Sequence, residues 1–323
     1  MEIAFDIIYN VGILFIMMIP GVIMKRGHLC SDGFGKGISN LVLYVAQPCL
    51  IFRAYVKAFD MEILINALIV LLLSVIAHCI FLLALLVFNN TTEDRQRMLR
   101  FATIFSNAAF MGIPLIEAVL GSEYTIYASI YNITFNMFLW TLGVHICTNN
   151  NRLDNGVVLK SQASVKKALL HPVTIAAAFG LVYFFLPVGP EAMPELASEC
   201  LTMVSNLVAP LSMLVLGLRI AEIDLHGFFN DINVYFFVIL RHIALPAIVF
   251  GALGLLLLIG LPISYEIFMV TMILASAPAA SSATMFAEKY DCDAVFVSKI
   301  VAFSTILSIV TMPLMALPVG LLY

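Results

Sequence analysis

Residues 104–121 read IFSNAAFMGIPLIEAVLG, an apolar run broken by Asn107, Gly112 and Pro114. Residues 273–290 read ILASAPAASSATMFAEKY and repeat the pattern, with Pro278 set among Ser276, Ser281, Ser282 and Thr284. Proline removes a backbone donor and clashes with the preceding turn, so a helix kinks or stops there. It is tolerated at the first position of a new half-helix, where its N–H would be orphaned in any case. In a bilayer the freed backbone groups must be satisfied by neighbours or by a polar ligand. What the two stretches mean therefore depends on whether the surrounding chain is a membrane protein.

Its composition says that it is. Of 323 residues 62% are hydrophobic and 11% charged, and the mean hydropathy is +1.05. An average soluble domain is about 45–50% apolar and about 25% charged. So few charges cannot cover the surface of a water-soluble fold of this size. A net charge of −4 without charge blocks or low complexity excludes disorder and nucleic-acid binding. Outer-membrane barrels alternate polar and apolar residues, whereas these runs are continuous. An all-α polytopic membrane protein remains. A span needs about 20 apolar residues, and ten segments qualify: roughly 3–24, 38–56, 63–88, 98–120, 124–148, 169–188, 200–219, 232–259, 266–290 and 294–322. The first carries Glu2 and Asp6 in its leader, with Asp6 expected near the interface, so it is read as a retained span and not a cleavable signal peptide. Cys30, Cys49, Cys79, Cys147, Cys200 and Cys292 lack metal or disulfide spacing and read as packing residues.

Basic residues orient the chain. With the N-terminus outside, Lys25, Arg26, Lys36, Arg95, Arg97, Arg100, Arg152, Lys160, Lys166, Lys167, Arg219, Arg241, Lys289 and Lys299 are cytoplasmic, against Arg53 and Lys57 outside. Both termini are then outside, and 149–168 is a cytoplasmic linker between residues 1–148 and 169–323. Each part has five spans, an odd number, so the two must enter the membrane in opposite senses as inverted repeats. Ser39-Asn40-Leu41-Val42 recurs as Ser205-Asn206-Leu207-Val208 in the second span of each repeat. The two interrupted stretches are then the fourth span of each repeat. Matched Gly/Pro-interrupted spans point to a binding site. A half-helix N-terminus suits a carboxylate, and Asn107, Ser281 and Ser282 add donors. Either break alone reads equally as a kinked packing helix, since small residues let membrane helices approach closely. The near absence of charge from both spans makes helix ends and amides the expected anion ligands, with no obligatory buried Lys or Arg.

At this point the chain resembles the auxin efflux carrier family, which includes plant PIN-FORMED carriers and bacterial malonate and malate permeases. The resemblance rests on residues 21–52 (GVIMKRGHLCSDGFGKGISNLVLYVAQPCLIF), 106–115 (SNAAFMGIPL) and 129–144 (SIYNITFNMFLWTLGV). It continues through 204–217 (VSNLVAPLSMLVLG) and 275–294 (ASAPAASSATMFAEKYDCDA), in order and end to end. It implies ten helices in two inverted repeats, with the fourth and ninth helices broken and crossing at prolines beside the substrate. Asn107 and Pro114 fall on the fourth-span motif and Pro278 on the ninth. The linker of about 20 residues is short against the regulatory loop of many plant carriers, which argues against hormone transport. Ala-Ala-Ser-Ser after Pro278 departs from the bulkier or amide-rich residues of bacterial relatives, so the substrate stays open.

Other polar residues in the spans default to functional hypotheses. Asn132 and Asn136, at i and i+4, share a face that either binds helix to helix or borders the crossing. Gln47-Pro48 offers the same choice. Glu117 either relays protons or lines an outer vestibule. His78 and His145 read first as core histidines, with His145 kept beside Glu117 as a relay candidate. Arg241 reads first as a snorkelling anchor, with an inward-facing anion ligand that attracts an acidic substrate from the cytoplasm as the alternative. The expected substrate-binding set is Asn107, Gly112, Pro114, Asn132, Asn136, Ser276, Pro278, Ser281 and Ser282. The function expected is secondary transport of small organic anions, carboxylates foremost, across the cell (inner) membrane by alternating access around the crossing of the fourth and ninth helices, with a sensor or receptor on a carrier fold as the alternative. No HExxH, GxGD or GxSG supports an intramembrane enzyme. No cofactor or metal is expected, and H+ and Na+ both stay open as coupling ions. The expected partners are the organic anion, the lipid bilayer and a second copy in a homodimer, with no nucleic acid.

Overall fold

Where the fourth apolar run reaches Phe105 its helix stops, and the rest of the fold is arranged around that stop. The computed structural model describes residues 2–31, 33–148, 153–154, 157–158, 165–222 and 230–323, with the backbone alone at 2–7, 153–154 and 157–158. The Asp6 side chain and most of the expected linker, Arg152 and Lys160 included, lie outside the described residues. In chain order the helices are α1 (Glu2–Ile16), α2 (Ile19–Arg26), α3 (Phe34–Ala54), α4 (Met61–Leu86) and α5 (Glu93–Ile104). They continue with α6 (Ala108–Val119), α7 (125–147), α8 (Val165–Leu169), α9 (Pro172–Phe185) and α10 (Glu195–Ala221). The last four are α11 (Ile232–Leu258), α12 (Tyr265–Ser276), α13 (Ser282–Lys289) and α14 (Ala294–Leu321). Beyond helix there is a two-residue antiparallel pairing of β1 (Leu153–Asp154) with β2 (Val157–Val158). Among the described residues, six helices are long and apolar enough to cross a membrane: residues 8–26, α3, α4, α10, α11 and α14. α6, α9 and α12 are shorter apolar helices.

Local chemistry sets several helix ends. Asp60, Asp231, Ser264 and Asp293 cap α4, α11, α12 and α14, each accepting a first-turn backbone N–H. Of four widened π turns among the described residues, three, Val42–Ala46, Ala108–Gly112 and Ile239–Ala244, each end two residues before a proline: Pro48, Pro114 and Pro246; the fourth is Leu139–Gly143 in α7. The widened turn relieves the clash of the proline ring with an upstream carbonyl, so the helix continues instead of ending.

Packing divides the helices into two groups. α2 and α3 pack on α10, and α3 also packs on α9. α4 packs on α7 and α11, while α12, α13 and α5 pack on α14. The first group closes on bare backbone: a Cβ at Gly217 would lie 2.0 Å from the Met18 carbonyl oxygen, and one at Gly21 would lie 2.3 Å from that of Leu214. Glycine is required at both positions because α2 and α10 touch main chain to main chain. At one end of the molecule Arg95 ties the start of α5 to Asp293 (3.0 Å) and Asp231 (3.4 Å), and packs over the Phe296 ring.

Candidate functional site

The two breaks meet. The Asn107 N–H donates to the Pro278 carbonyl (2.7 Å) and the Ala280 N–H donates to the Phe105 carbonyl (2.9 Å), an antiparallel bridge centred on Ser106 and Ala279. Each broken strand so satisfies backbone groups of the other, as buried main chain requires. The crossing therefore lies at 105–107 and 277–281. Pro278 is in it, but Pro114 is not: it sits inside α6 beyond the π turn, buried. This corrects the expectation of a crossing at both prolines, because the widened turn accommodates Pro114 without a break.

Behind the crossing lies Arg241. It is 0% exposed and donates to the carbonyls of Thr103 (3.1 Å), Ala275 (3.2 Å) and Ala277 (3.2 Å). Thr103 is in the last turn of α5, and Ala275 and Ala277 close α12, so one guanidinium takes the unsatisfied carbonyls of both half-helix C-termini. The snorkelling reading of Arg241 is corrected. The π turn Ile239–Ala244 that carries it could not be read from composition.

Its neighbour His242 extends the support. Ser304 Oγ accepts the Ala279 N–H (2.8 Å) and lies 2.8 Å from His242 Nε2, whose Nδ1 is 2.9 Å from Thr311 Oγ1. With Thr311 donating to the Leu307 carbonyl (3.2 Å), the network assigns a neutral imidazole with its proton on Nδ1. Ser304→Ala leaves the Ala279 N–H and one imidazole nitrogen without partners. A buried orphaned group costs about 1–3 kcal/mol, so a lower melting temperature is expected. An unchanged one would mean that Ala279 finds another acceptor.

On the other face of the crossing is a cavity of about 180 Å³, walled by α3, the two breaks, α7, α13, His171 and Arg219. Six buried polar atoms without hydrogen-bond partners belong to residues that line it: Gln47 Oε1, Ser106 Oγ, Asn107 Nδ2, Asn132 Oδ1, Trp140 Nε1 and His171 Nδ1. Gln47 donates its amide to the Ala109 carbonyl (2.8 Å), which leaves Oε1 as the free acceptor. Buried polar groups are nearly always paired, so a concentration of unpaired ones marks a place for a polar ligand. Phe110, Phe135 and Phe286 supply the apolar wall.

Of the expected substrate-binding residues, Asn107, Asn132, Asn136, Ser281 and Ser282 line this cavity. Gly112, Pro114, Ser276 and Pro278 do not. Gly112 lets α12 approach, since a Cβ there would meet the Leu274 side chain at 2.6 Å, and Ser276 Oγ donates to the Met272 carbonyl (2.7 Å). His78 is buried, donates Nδ1–H to the Ser74 carbonyl (2.7 Å) and is packed among Tyr131, Phe135 and Phe138. His145 is exposed at the end of α7 and away from the cavity, which corrects its reading as a core histidine. Sequence reasoning missed His171, Trp140 and Arg219 as cavity residues. The chain's single tryptophan and the His171-Pro172 step were the available signals.

The cavity continues toward one end. Ser39, Leu43, Arg219 and Met285 also line a mouth of about 550 Å³, which carries Lys25, Lys36 and Lys289 against Glu222 and Glu288. Toward the other end Arg53 bonds Glu117 (3.0 Å) and Asn206 (3.3 Å), joining α3, α6 and α10. Beside it Lys57 donates to the Glu123 carbonyl (2.7 Å), and burial pulls its ammonium below the usual lysine range against the attraction of Glu123.

The family model for membrane transport proteins matches residues 6–316. The chain belongs to the membrane transport protein family. This is the family to which the auxin efflux carrier resemblance pointed, and the chain is a multi-pass membrane transporter. An uncharacterized transporter of Methanothermobacter thermautotrophicus is 26% identical over 314 residues, covering 93% of this chain and 94% of its own. One from Methanocaldococcus jannaschii is 22% identical over 308 residues, covering 94% and 95%. The transporter's likeness to these relatives is thus end to end.

Proposed function

We propose that the transporter moves small organic anions, carboxylates foremost, across the cell membrane by alternating access around the crossing. The observation that carries this is the cavity against the two breaks, with its unpaired amide, indole and hydroxyl groups and Arg219 in its wall. Asn107 Nδ2, Trp140 Nε1 and Ser106 Oγ as donors, with Arg219, suit a carboxylate, and the free Gln47 and Asn132 oxygens suit a donor elsewhere on the same molecule; neutral groups hold it weakly enough to release. The basic mouth supports capture of anions from that side.

The architecture belonging to this reading is ten spans in two inverted five-helix repeats, 1–148 and 169–323, joined by 149–168, with both termini outside. The reciprocal bonding of the breaks supports it: each donates one N–H and accepts another across the bridge, as a pseudo-two-fold axis demands. The recurring SNLV segments add that Ser39 and Ser205 each donate to the carbonyl four residues back, beside a helix irregularity. In this frame the basic mouth is cytoplasmic and Arg53–Glu117 closes the outer side. One packing group then moves against the other, carrying the crossing past the cavity wall.

The deciding experiment is counterflow of radiolabelled mono- and dicarboxylates in proteoliposomes, where saturable exchange of at least one acid is expected. No saturable exchange across a broad panel would overturn the reading. The outer closure is tested by Arg53→Gln. A partly exposed ion pair contributes up to about 1 kcal/mol, a roughly fivefold shift in population. Labelling of a Leu50→Cys variant, free of other cysteines, by an impermeant maleimide from outside is expected to rise about that much. An unchanged rate would remove the pair as a gate.

A further inference from the structure

We propose that Arg241 is a resident cation that takes the place of a coupling ion at the crossing of the two broken helices. In carriers with discontinuous helices, unwound carbonyls and half-helix C-termini are the groups that coordinate sodium. Here the carbonyls of Thr103, Ala275 and Ala277 all accept from one guanidinium, which is fully buried and packs 5.1 Å from the Phe81 ring. Both negative helix ends are thus neutralised by a charge built into the chain. Arg241 does not line the cavity. It is a positioning residue, holding the crossing peptides whose far side carries Asn107 and Ser281.

Two consequences follow, and they rest on the alternating-access reading. Sodium is not needed to assemble the crossing. Further, the crossing carries the fully buried charge of Arg241, so a bound monoanion beside it offsets that charge, and the loaded step is insensitive to membrane potential.

The test uses the reconstituted full chain and the monocarboxylate with the fastest counterflow in the panel above. Replacing Na+ by K+ or choline at constant ionic strength is expected to change counterflow by less than twofold, and so is reversing a clamped potential. Sodium stimulation of fivefold or more would overturn the proposal. Arg241→Gln keeps a donor for one carbonyl but removes the charge, so the loaded form moves a net negative charge. Its counterflow is expected to become potential-dependent by severalfold, below the roughly 50-fold per 100 mV that a full traverse of one charge sets. A merely structural role lowers the rate without creating that dependence, which would also overturn the proposal. Should Arg241→Gln not fold, Arg241→Lys keeps the charge and must keep both insensitivities. If no acid shows counterflow, the transport reading fails on its own. The melting temperature then decides Arg241: equal values in sodium and choline chloride support it, and a sodium-specific rise of several degrees overturns it.

Discussion

Asn107→Ala is expected to weaken binding of a transported acid by roughly ten- to a hundredfold while the yield of folded protein stays unchanged. The side-chain amide Nδ2 of Asn107 is buried without a partner in the wall of the cavity, so it is free to donate to a ligand carboxylate. A hydrogen bond to a charged group contributes about 1.5–3 kcal/mol, which is the stated range when each 1.4 kcal/mol is tenfold. The role of Asn107 in the fold is carried by its backbone, whose N–H bonds the Pro278 carbonyl and whose carbonyl accepts from Met111 and Gly112. Alanine keeps all three bonds. Its φ of −79° and ψ of 48° lie at negative φ, where alanine meets no left-handed strain. Counterflow at varied substrate concentration, with thermal unfolding alongside, checks both halves. Unaltered counterflow would remove Asn107 from the site, and a collapsed melting temperature would make it a structural residue.

Gly217→Ala is expected to be the most damaging glycine-to-alanine change among the described residues. The added Cβ would sit 2.0 Å from the Met18 carbonyl oxygen, against main chain that cannot rotate away, so α2 and α10 must separate. Overpacking a fitted interface costs about 1–3 kcal/mol, and a backbone neighbour puts this case at the upper end. The control is Gly251→Ala on α11, where nothing lies within 4 Å of the new atom. There alanine replaces the poorer helix former and is expected to be neutral or stabilising by up to about 1 kcal/mol. The two variants differ only in what their methyl groups meet. Equal melting temperatures would show that α2 and α10 do not pack as described.

Together these two predictions show where sequence reading stops. Asn107 could be found from the chain because an amide beside a break in an apolar run is expensive unless it is used. Gly217 could not, since nothing beside it in the chain says what it meets, and its importance comes from Met18, about two hundred residues away. The same holds across the site. Asn132 and Asn136 were legible by their four-residue spacing, and Ser281 and Ser282 by their place after Pro278. Gln47 was visible only as a choice between packing and binding. His171, Trp140 and Arg219 carried no local mark of sharing one cavity. Pro114 read as a break, and the structure moves the break upstream because a π turn, invisible to helical periodicity, absorbs the proline.

By itself the sequence determined what depends on transfer to a bilayer and on local chain chemistry. Membrane class, continuous apolar runs, the positions of both interruptions and the excess of basic residues on one expected side are all of this kind. Each is a property of single segments, so a one-dimensional reading suffices. Only the tertiary structure decided which backbone groups the interruptions satisfy and what stands behind them. The Asn107–Pro278 and Ala280–Phe105 bonds join parts of the chain far apart in sequence. Arg241 looked like a charge at a membrane boundary, because burial is a relation among helices and not a property of a residue. Three carbonyls at two helix ends make its full burial tolerable, since a charge inside a membrane protein persists only where it is paired or hydrogen-bonded.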